Sequence, residues 1–473
     1  LNITEPIRFR ARLTPDTTAI VETDGSRVSY TMLDACIDGM VGHLQRLGVR
    51  PGDIVRVAIQ PPDQAAGLAL VLGLLRMGAT AAEPSLPAPL AHLTLMPASL
   101  ASAGTTAFDR TWMTPAAPVP MAAGGEAVAK IFASSGTTGT PKQAPLTHTM
   151  LFRRIARRCL LLPHAAAARV IALGLGGALG FETVLRTLCS GGTIILATAE
   201  RLAETMAREG ATALTCSPFT LRMALEQRDP AAGPIPTLRT IEFGGGPLSR
   251  PLYDAALARL CPTLLTQFGC TEVSMITCGP TASLIDRPGA VGFLGPGLEA
   301  RILDADGAPV PPGRDGLLAV RGETVIDTYL PGTEGRFADG WFVTGDVARL
   351  EADGVLTLVG RDVEIINVGG VKTSPIVLEE ALRSLPGVTD AAAFAVPDPA
   401  GMNEVWAAIV ADPPVEDAVL RAFTDRLPPG LAPEMILHLR EIPRDGMGKI
   451  RREHLLAAAR ALLEGDATEV PAP

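Results

Sequence analysis

Aromatic residues are scarce in this chain: three Trp, three Tyr and thirteen Phe amount to 4% of 473 residues. The core must therefore be built from Ala, Leu, Val and Ile. The 48 Gly and 41 Pro put turns between short elements, which favours α/β over a helical bundle. Long apolar runs are missing too. The runs 65–75 and 170–181 are stopped by Arg76 and Glu182, short of the roughly 18 residues a spanning helix needs, so no membrane span is expected. Cationic tracts are absent, and 41 Lys+Arg against 50 Asp+Glu leave a net charge of −9. Phosphate-backbone binding needs clustered cations, so nucleic acid is not an expected partner. Cysteines number seven with no Cys-x-x-Cys, and the six histidines form no His-x-x-x-His. That argues against a disulfide framework and a zinc site, and for a reducing compartment. The opening residues carry scattered charge without an apolar segment, so no secretory signal is read there and a cytoplasmic protein is the expectation. No Gly-x-Ser-x-Gly elbow occurs, which removes the usual hydrolase reading.

At roughly 150 residues per domain the length allows two or three domains. Residues 28–30 read as a strand, 33–47 follow helical spacing and 54–59 read as a strand, followed by a helix over 65–77 closed by Gly78. The stretch 79–126 is Pro/Ala-rich with weak periodicity and reads as loops and short elements. Strand-like runs follow at 170–173, 181–188, 193–196, 211–216 and 240–243, a doubly wound pattern. From 294 to 359 short strands between Asp-Gly and Pro-Gly turns suggest a small β-barrel unit. After Gly360 the pattern resets: Ser374-Pro375 can start a helix, and 391–396 with 405–410 read as paired strands. The expectation is thus an α/β protein: a large N-terminal domain of doubly wound sheets with a small β-barrel unit, 1–360, and a smaller mobile α+β C-terminal domain, 361–473.

The sharpest local signal is an apolar strand running into Ser134-Ser135-Gly136-Thr137-Thr138-Gly139-Thr140-Pro141-Lys142. Glycines let backbone N–H groups turn toward one point, the hydroxyls add donors and Lys142 supplies a cation, so the loop can wrap a polyphosphate. Its spacing differs from that of a Walker A loop. A rival signal lies at 170–180, where a strand enters Gly174, Gly176, Gly177 and Gly180, a weak variant of the dinucleotide fingerprint. Close packing around a substrate pocket accounts for those glycines equally well.

The Ser/Gly/Thr loop resembles the phosphate loop of the adenylate-forming superfamily, which comprises acyl- and aryl-CoA synthetases, adenylation domains and luciferases. Later motifs follow in that family's order: Gly244-Gly245-Gly246-Pro247-Leu248, Gln267-Phe268-Gly269-Cys270-Thr271-Glu272, Trp341-Phe342-Val343-Thr344-Gly345-Asp346, Gly360-Arg361 with Asn367-Val368-Gly369-Gly370, and Gly446-Met447-Gly448-Lys449. The resemblance spans roughly 130–452, and chance recurrence in order is negligible.

Carried over, the resemblance implies an ATP-dependent ligase that joins a carboxylic acid to ATP as an acyl-adenylate and then to the thiol of CoA. Lys449 would bridge the acid carboxylate and ATP oxygens, Glu272 would hold Mg²⁺, and Thr271 with Ser134, Ser135, Gly136, Thr137, Thr138, Gly139 and Lys142 would orient the phosphates. Asp346 would accept from the ribose, assisted by Arg361; Phe268 would stack on adenine opposite Gly245, Gly246 and Pro247. Gly369 and Gly370 would line a pantetheine tunnel once the small domain rotates, and Val363 stands where the family's hinge carries Asp or Lys. Gly176, Gly177, Ala178 and Phe181 would form the acyl pocket. Amino-acid adenylation domains carry an Asp where gap-free counting puts Ala178, so a neutral acyl or aryl acid is expected rather than a zwitterion, whose buried ammonium would cost several kcal/mol unpaired. Loading of a separate carrier protein and a non-catalytic nucleotide-binding role are the alternatives.

Overall fold

The computed structural model describes the chain except residues 62, 123, 135–141, 163–166, 331–335, 362–365, 369–370, 374, 398–402, 426, 428–431, 445–449 and 464–473. The apolar run at 65–75 becomes the helix Gln64–Met77, in which every residue from Ala65 onward is buried, and it ends on Gly78 in the left-handed conformation. A helix apolar on all sides belongs inside a large core. Arg76, which ends the run in sequence, is itself fully buried and pairs with Asp34 at 2.5 Å and Asp38 at 2.9 Å. Charge there marks a buried ion pair rather than a surface.

The helix packs by a six-stranded sheet in the order Thr106–Phe108, Leu93–Pro97, Ile54–Val57, Thr80–Ala82, Val128–Ser134, Lys142–Thr147. All neighbours are parallel except the last pair. Three of these strands, of three, five and three residues, are short elements of the kind expected in the stretch 79–126. Ser134 and Lys142 are register partners, so the two ends of the phosphate-loop segment are held side by side.

A larger, 14-stranded sheet has six parallel strands: Thr18–Val21, Thr193–Ile195, Arg169–Ala172, Ala213–Cys216, Thr240–Phe243 and Leu264–Cys270. It then continues antiparallel through Ser274–Pro280, Ala290–Leu294, Val355–Arg361, Trp341–Leu350, Asp315–Gly322 and Leu298–Leu303. The expected small β unit is thus joined by hydrogen bonds to the parallel sheet. The run 181–188, read as strand-like, is a correction: it lies in the helix Ala178–Ser190. Phe181, Val184, Leu185 and Leu188 repeat at helical spacing, and Gly177 and Gly191 cap the two ends.

Beyond Arg361, a hairpin of Ile366–Val368 and Val371–Thr373 precedes a three-stranded sheet of Val388–Pro397, Asn403–Ala411 and Met435–His438. Alternate residues face opposite ways along a strand. Ala391 and Ala393 pack with Leu378 and Leu382 of the helix Pro375–Arg383, while Ala392 and Phe394 pack with Leu455 and Ala459 of the helix Arg452–Leu463. Polar contacts reach the larger part of the chain: Arg222 donates to the Thr389 carbonyl at 3.0 Å and lies 3.8 Å from Asp390.

Candidate active site

In open parallel sheets, ligands bind beyond the carboxyl ends of the strands, where loops and helix N-termini present unpaired backbone groups. Here Arg169–Ala172, Thr240–Phe243 and Leu264–Cys270 lead into a cavity of about 190 Å³. Ala178 and Leu179, Gly244 and Gly245, and residues 267–272 supply walls from the parallel sheet. Lys142 from the smaller sheet, Tyr329 from the loop after Asp315–Gly322, and Thr344 and Arg361 from the antiparallel strands complete it.

Thr271 and Glu272 stand on a tight turn between Leu264–Cys270 and Ser274–Pro280, in which Cys270 pairs with Ser274 and the register slips after Phe268. A Cβ on Gly269 would fall 2.0 Å from the Ser274 carbonyl oxygen, so only glycine admits the turn. Ser274 takes a φ of 71°, the strain a functional turn often stores. Arg154 clamps the same turn, donating to the Thr271 carbonyl at 3.0 Å and the Glu272 carbonyl at 2.8 Å. The Glu272 carboxylate is buried, and its Oε1 accepts the Tyr329 hydroxyl at 2.7 Å. Burial first, and then the Glu272 charge, raise the Tyr329 phenol, which stays a donor. The Lys142 ammonium lies 5.1 Å from the Tyr329 ring centre, so a cation and a carboxylate meet across one tyrosine.

Asp346 and Arg361 face each other as register partners on adjacent strands, with Oδ1 to Nε at 3.1 Å. The Asp346 amide donates to Thr344 Oγ1 at 3.0 Å. Gly345 between them has a φ of 81°, and a Cβ there would lie 2.6 Å from Arg336 Nη1, which donates to the Thr344 carbonyl. Phe268 is half-buried on the cavity wall. Gly245 lines the cavity, whereas Gly246 and Pro247 are exposed beside it and do not.

Of the residues expected to form an acyl pocket, the structure brings only some to the cavity. Ala178 lines the cavity; Gly176 and Gly177 do not, Gly177 serving as the helix N-cap. Phe181 is fully buried with its ring 5.9 Å from Phe132, and so is core rather than pocket. A helix turns about 100° per residue, which groups Ala178, Leu179 and Glu182 on one face and carries Phe181 away from it. Ser134 closes the strand Val128–Ser134. Ser135, Gly136, Thr137, Thr138, Gly139, Val363, Gly369, Gly370 and Lys449 lie outside the described residues.

Sequence reasoning missed Tyr329, Arg336, Arg158, Glu182 and the side chain of Gln267, all of which line this cavity. The pair Arg157-Arg158 carried a signal: Arg154 and Arg158 recur at the spacing of Leu151 and Ile155, which places them on the buried face of the helix His148–Leu161.

Among the described residues no cluster of three or more His, Cys, Asp or Glu could hold a metal ion. Glu272, with lone pairs beyond the one given to Tyr329, suits Mg²⁺, which usually takes one or two carboxylates and completes its shell with phosphate oxygens and water. Bound there, Mg²⁺ would neutralise phosphate charge.

Comparisons with known proteins agree. The chain matches the AMP-binding enzyme family over residues 83–330 and the AMP-binding enzyme C-terminal domain over 377–449. It is 33% identical to a sulfoacetate–CoA ligase of Cupriavidus necator over 70% of this chain and 67% of that protein. It is 29% identical to a salicylyl-CoA synthase/salicylate adenylyltransferase of a Streptomyces species, over 97% and 93%. Its fold matches O-succinylbenzoate coenzyme A synthetase from Bacillus subtilis in complex with ATP and magnesium, with a TM-score of 0.84, 23% identity and coverage of 95% and 98%. Among the described residues no helix is long and apolar enough to cross a membrane. Motif order, paired domains and a cavity at the strand ends converge on one conclusion: the chain belongs to the AMP-binding enzymes, the adenylate-forming family whose acid:CoA ligases use ATP, Mg²⁺ and CoA.

Proposed function

We propose that this enzyme activates a carboxylic acid with ATP and transfers the acyl group to CoA, using a large domain of residues 1–360 and a smaller one of residues 361–473. The convergence of Lys142, Glu272 and Arg361, itself paired with Asp346, on one cavity with Ala178 carries this reading. A carboxylate oxygen attacks the α-phosphorus, the bond to the β-phosphate breaks, and pyrophosphate leaves. The thiol of CoA then attacks the acyl carbonyl and AMP departs. The first step brings anions together, so it needs cations and fixed dipoles more than a proton carrier. Lys142 answers that need, with Lys449 as the second cation, while Thr271 orients phosphate oxygens and Phe268 supplies a stacking face.

Glu182, a carboxylate in this cavity, is engaged by Arg154 and Arg158 and offers no free partner to an ammonium group. Together with Ala178 this supports acids without an α-ammonium. Transfer to a carrier protein instead of CoA is the second reading. ATP–pyrophosphate exchange across aliphatic, aryl and amino acids, followed by CoA addition, tests both; exchange without acyl-CoA would favour the carrier protein.

Two variants sharpen the assignment. Asp346→Asn should raise the KM for ATP about 10- to 100-fold with a smaller change in kcat, because a charge-assisted hydrogen bond to ribose is worth about 1.5–3 kcal/mol. Unchanged KM would take Asp346 away from the nucleotide. Ala178→Trp should fill the acyl wall and shift exchange toward shorter acids; an unaltered acid profile would place the acyl group elsewhere.

A further inference from the structure

We infer that the acid activated here carries a second anionic group, and that Arg158 receives it. The inference rests on the acid-activation reading above and narrows its substrate class. Arg154, Arg157 and Arg158 are all buried, whereas Arg153, on the same helix, pairs with Glu323 at the surface. Against the three buried guanidiniums stands Glu182, bridging Arg154 at 3.3 Å and Arg158 at 3.1 Å and held by the Ser274 hydroxyl. Counting Glu272 as well, cations still outnumber carboxylates. The neighbouring Arg186 is matched by its own Glu242 at 2.8 Å.

The three arginines are employed differently. Arg154 and Arg157 spend most of their donors on backbone carbonyls and Thr324, which fixes them as struts of the Glu272 turn. Arg158 alone of the three lines the cavity. It gives Nε to Glu182 and Nη1 to Gln267 Oε1 at 2.9 Å, and among the described residues its Nη2 has no hydrogen-bond partner. The arginine donor also fixes the Gln267 amide: Oε1 faces Arg158, and the remaining Nε2 is buried without a partner. One wall of the cavity thus holds a guanidinium with donor capacity to spare, an amide with an unused N–H₂ and surplus positive charge. A carboxylate or sulfonate at the far end of the acid answers all three, because charge-assisted bonds from a planar guanidinium are the strong ones and a buried uncompensated cation is costly.

The test is ATP–pyrophosphate exchange with matched acids: pentanoate against glutarate, and benzoate against isophthalate, with 3-hydroxybenzoate as the neutral acceptor. The expected result is a dianion preferred over its plain partner in at least one pair by about tenfold or more in kcat/KM, with Arg158→Met collapsing that ratio by about the same factor. If thermal melting shows that Arg158→Met does not fold, Gln267→Met carries the same comparison with a smaller collapse. A wild-type preference for the plain or hydroxylated acids, or a ratio unchanged in the folded variant, would overturn the inference and leave acid activation standing. Exchange with no acid at all would overturn acid activation itself, and this inference with it.

Discussion

Lys449→Ala is expected to cut pyrophosphate release at saturating acid and ATP by at least about a hundredfold, the scale on which a single stabilising donor acts when charge develops in the transition state. ATP affinity should change little, because the proposed reading has Lys142 and Asp346 hold the nucleotide from the large domain. The reason is electrostatic. A carboxylate must approach an already anionic α-phosphate, and a cation touching both lowers the barrier without altering the resting complex. Arg444 and Ile450, which flank the segment carrying Lys449, pair across an isolated bridge. Rapid-quench pyrophosphate release with calorimetric ATP titration separates the two quantities. Adenylation at the native rate would remove Lys449 from the chemistry, and a parallel loss of ATP binding would make it a ground-state ligand.

Glu182→Leu is expected to cost about 3–5 kcal/mol of stability, because deleting one member of a buried ionic cluster leaves its partners charged and uncompensated. Arg154 and Arg158 would lose their shared carboxylate, and Ser274, held at a positive φ, would lose the acceptor of its hydroxyl. Burial alone would raise the Glu182 carboxyl, but Arg154 and Arg158 outweigh it and hold the group below the usual Glu range. With the folded value below the unfolded one, its contribution is complete at neutral pH and is lost as pH falls through the folded value. The gap between wild type and Glu182→Gln in denaturant melts should therefore shrink below about pH 4, the ordinary Glu range. A gap that is constant from pH 7 to 3, or Glu182→Leu melting with the wild type, would show that the cluster contributes packing rather than charge.

The phosphate-loop, Thr-Glu, Thr-Gly-Asp and terminal lysine motifs were legible because their chemistry is local. Each needs particular residue types at fixed spacing on one turn, and glycines such as Gly269 and Gly345 are demanded by contacts within that turn or its immediate neighbours. Alternating strands and helices, the helix stop at Gly78 and the paired strands 391–396 and 405–410 followed from the same short-range rules. The run 181–188 was misread because a short apolar stretch suits a buried strand and a buried helix alike, and its caps at Gly177 and Gly191 lie outside it.

What the sequence determined alone, then, was the family and the α/β alternation of its elements. Tertiary structure decided the cavity wall proposed to receive the acid. Glu182, Arg158 and Gln267 lie far apart in the chain, on two helices and a strand, and each alone reads as a surface polar residue or a core exception. Only packing removes them from water together, and only there does an arginine with a spare donor beside an unpartnered amide become a statement about the substrate.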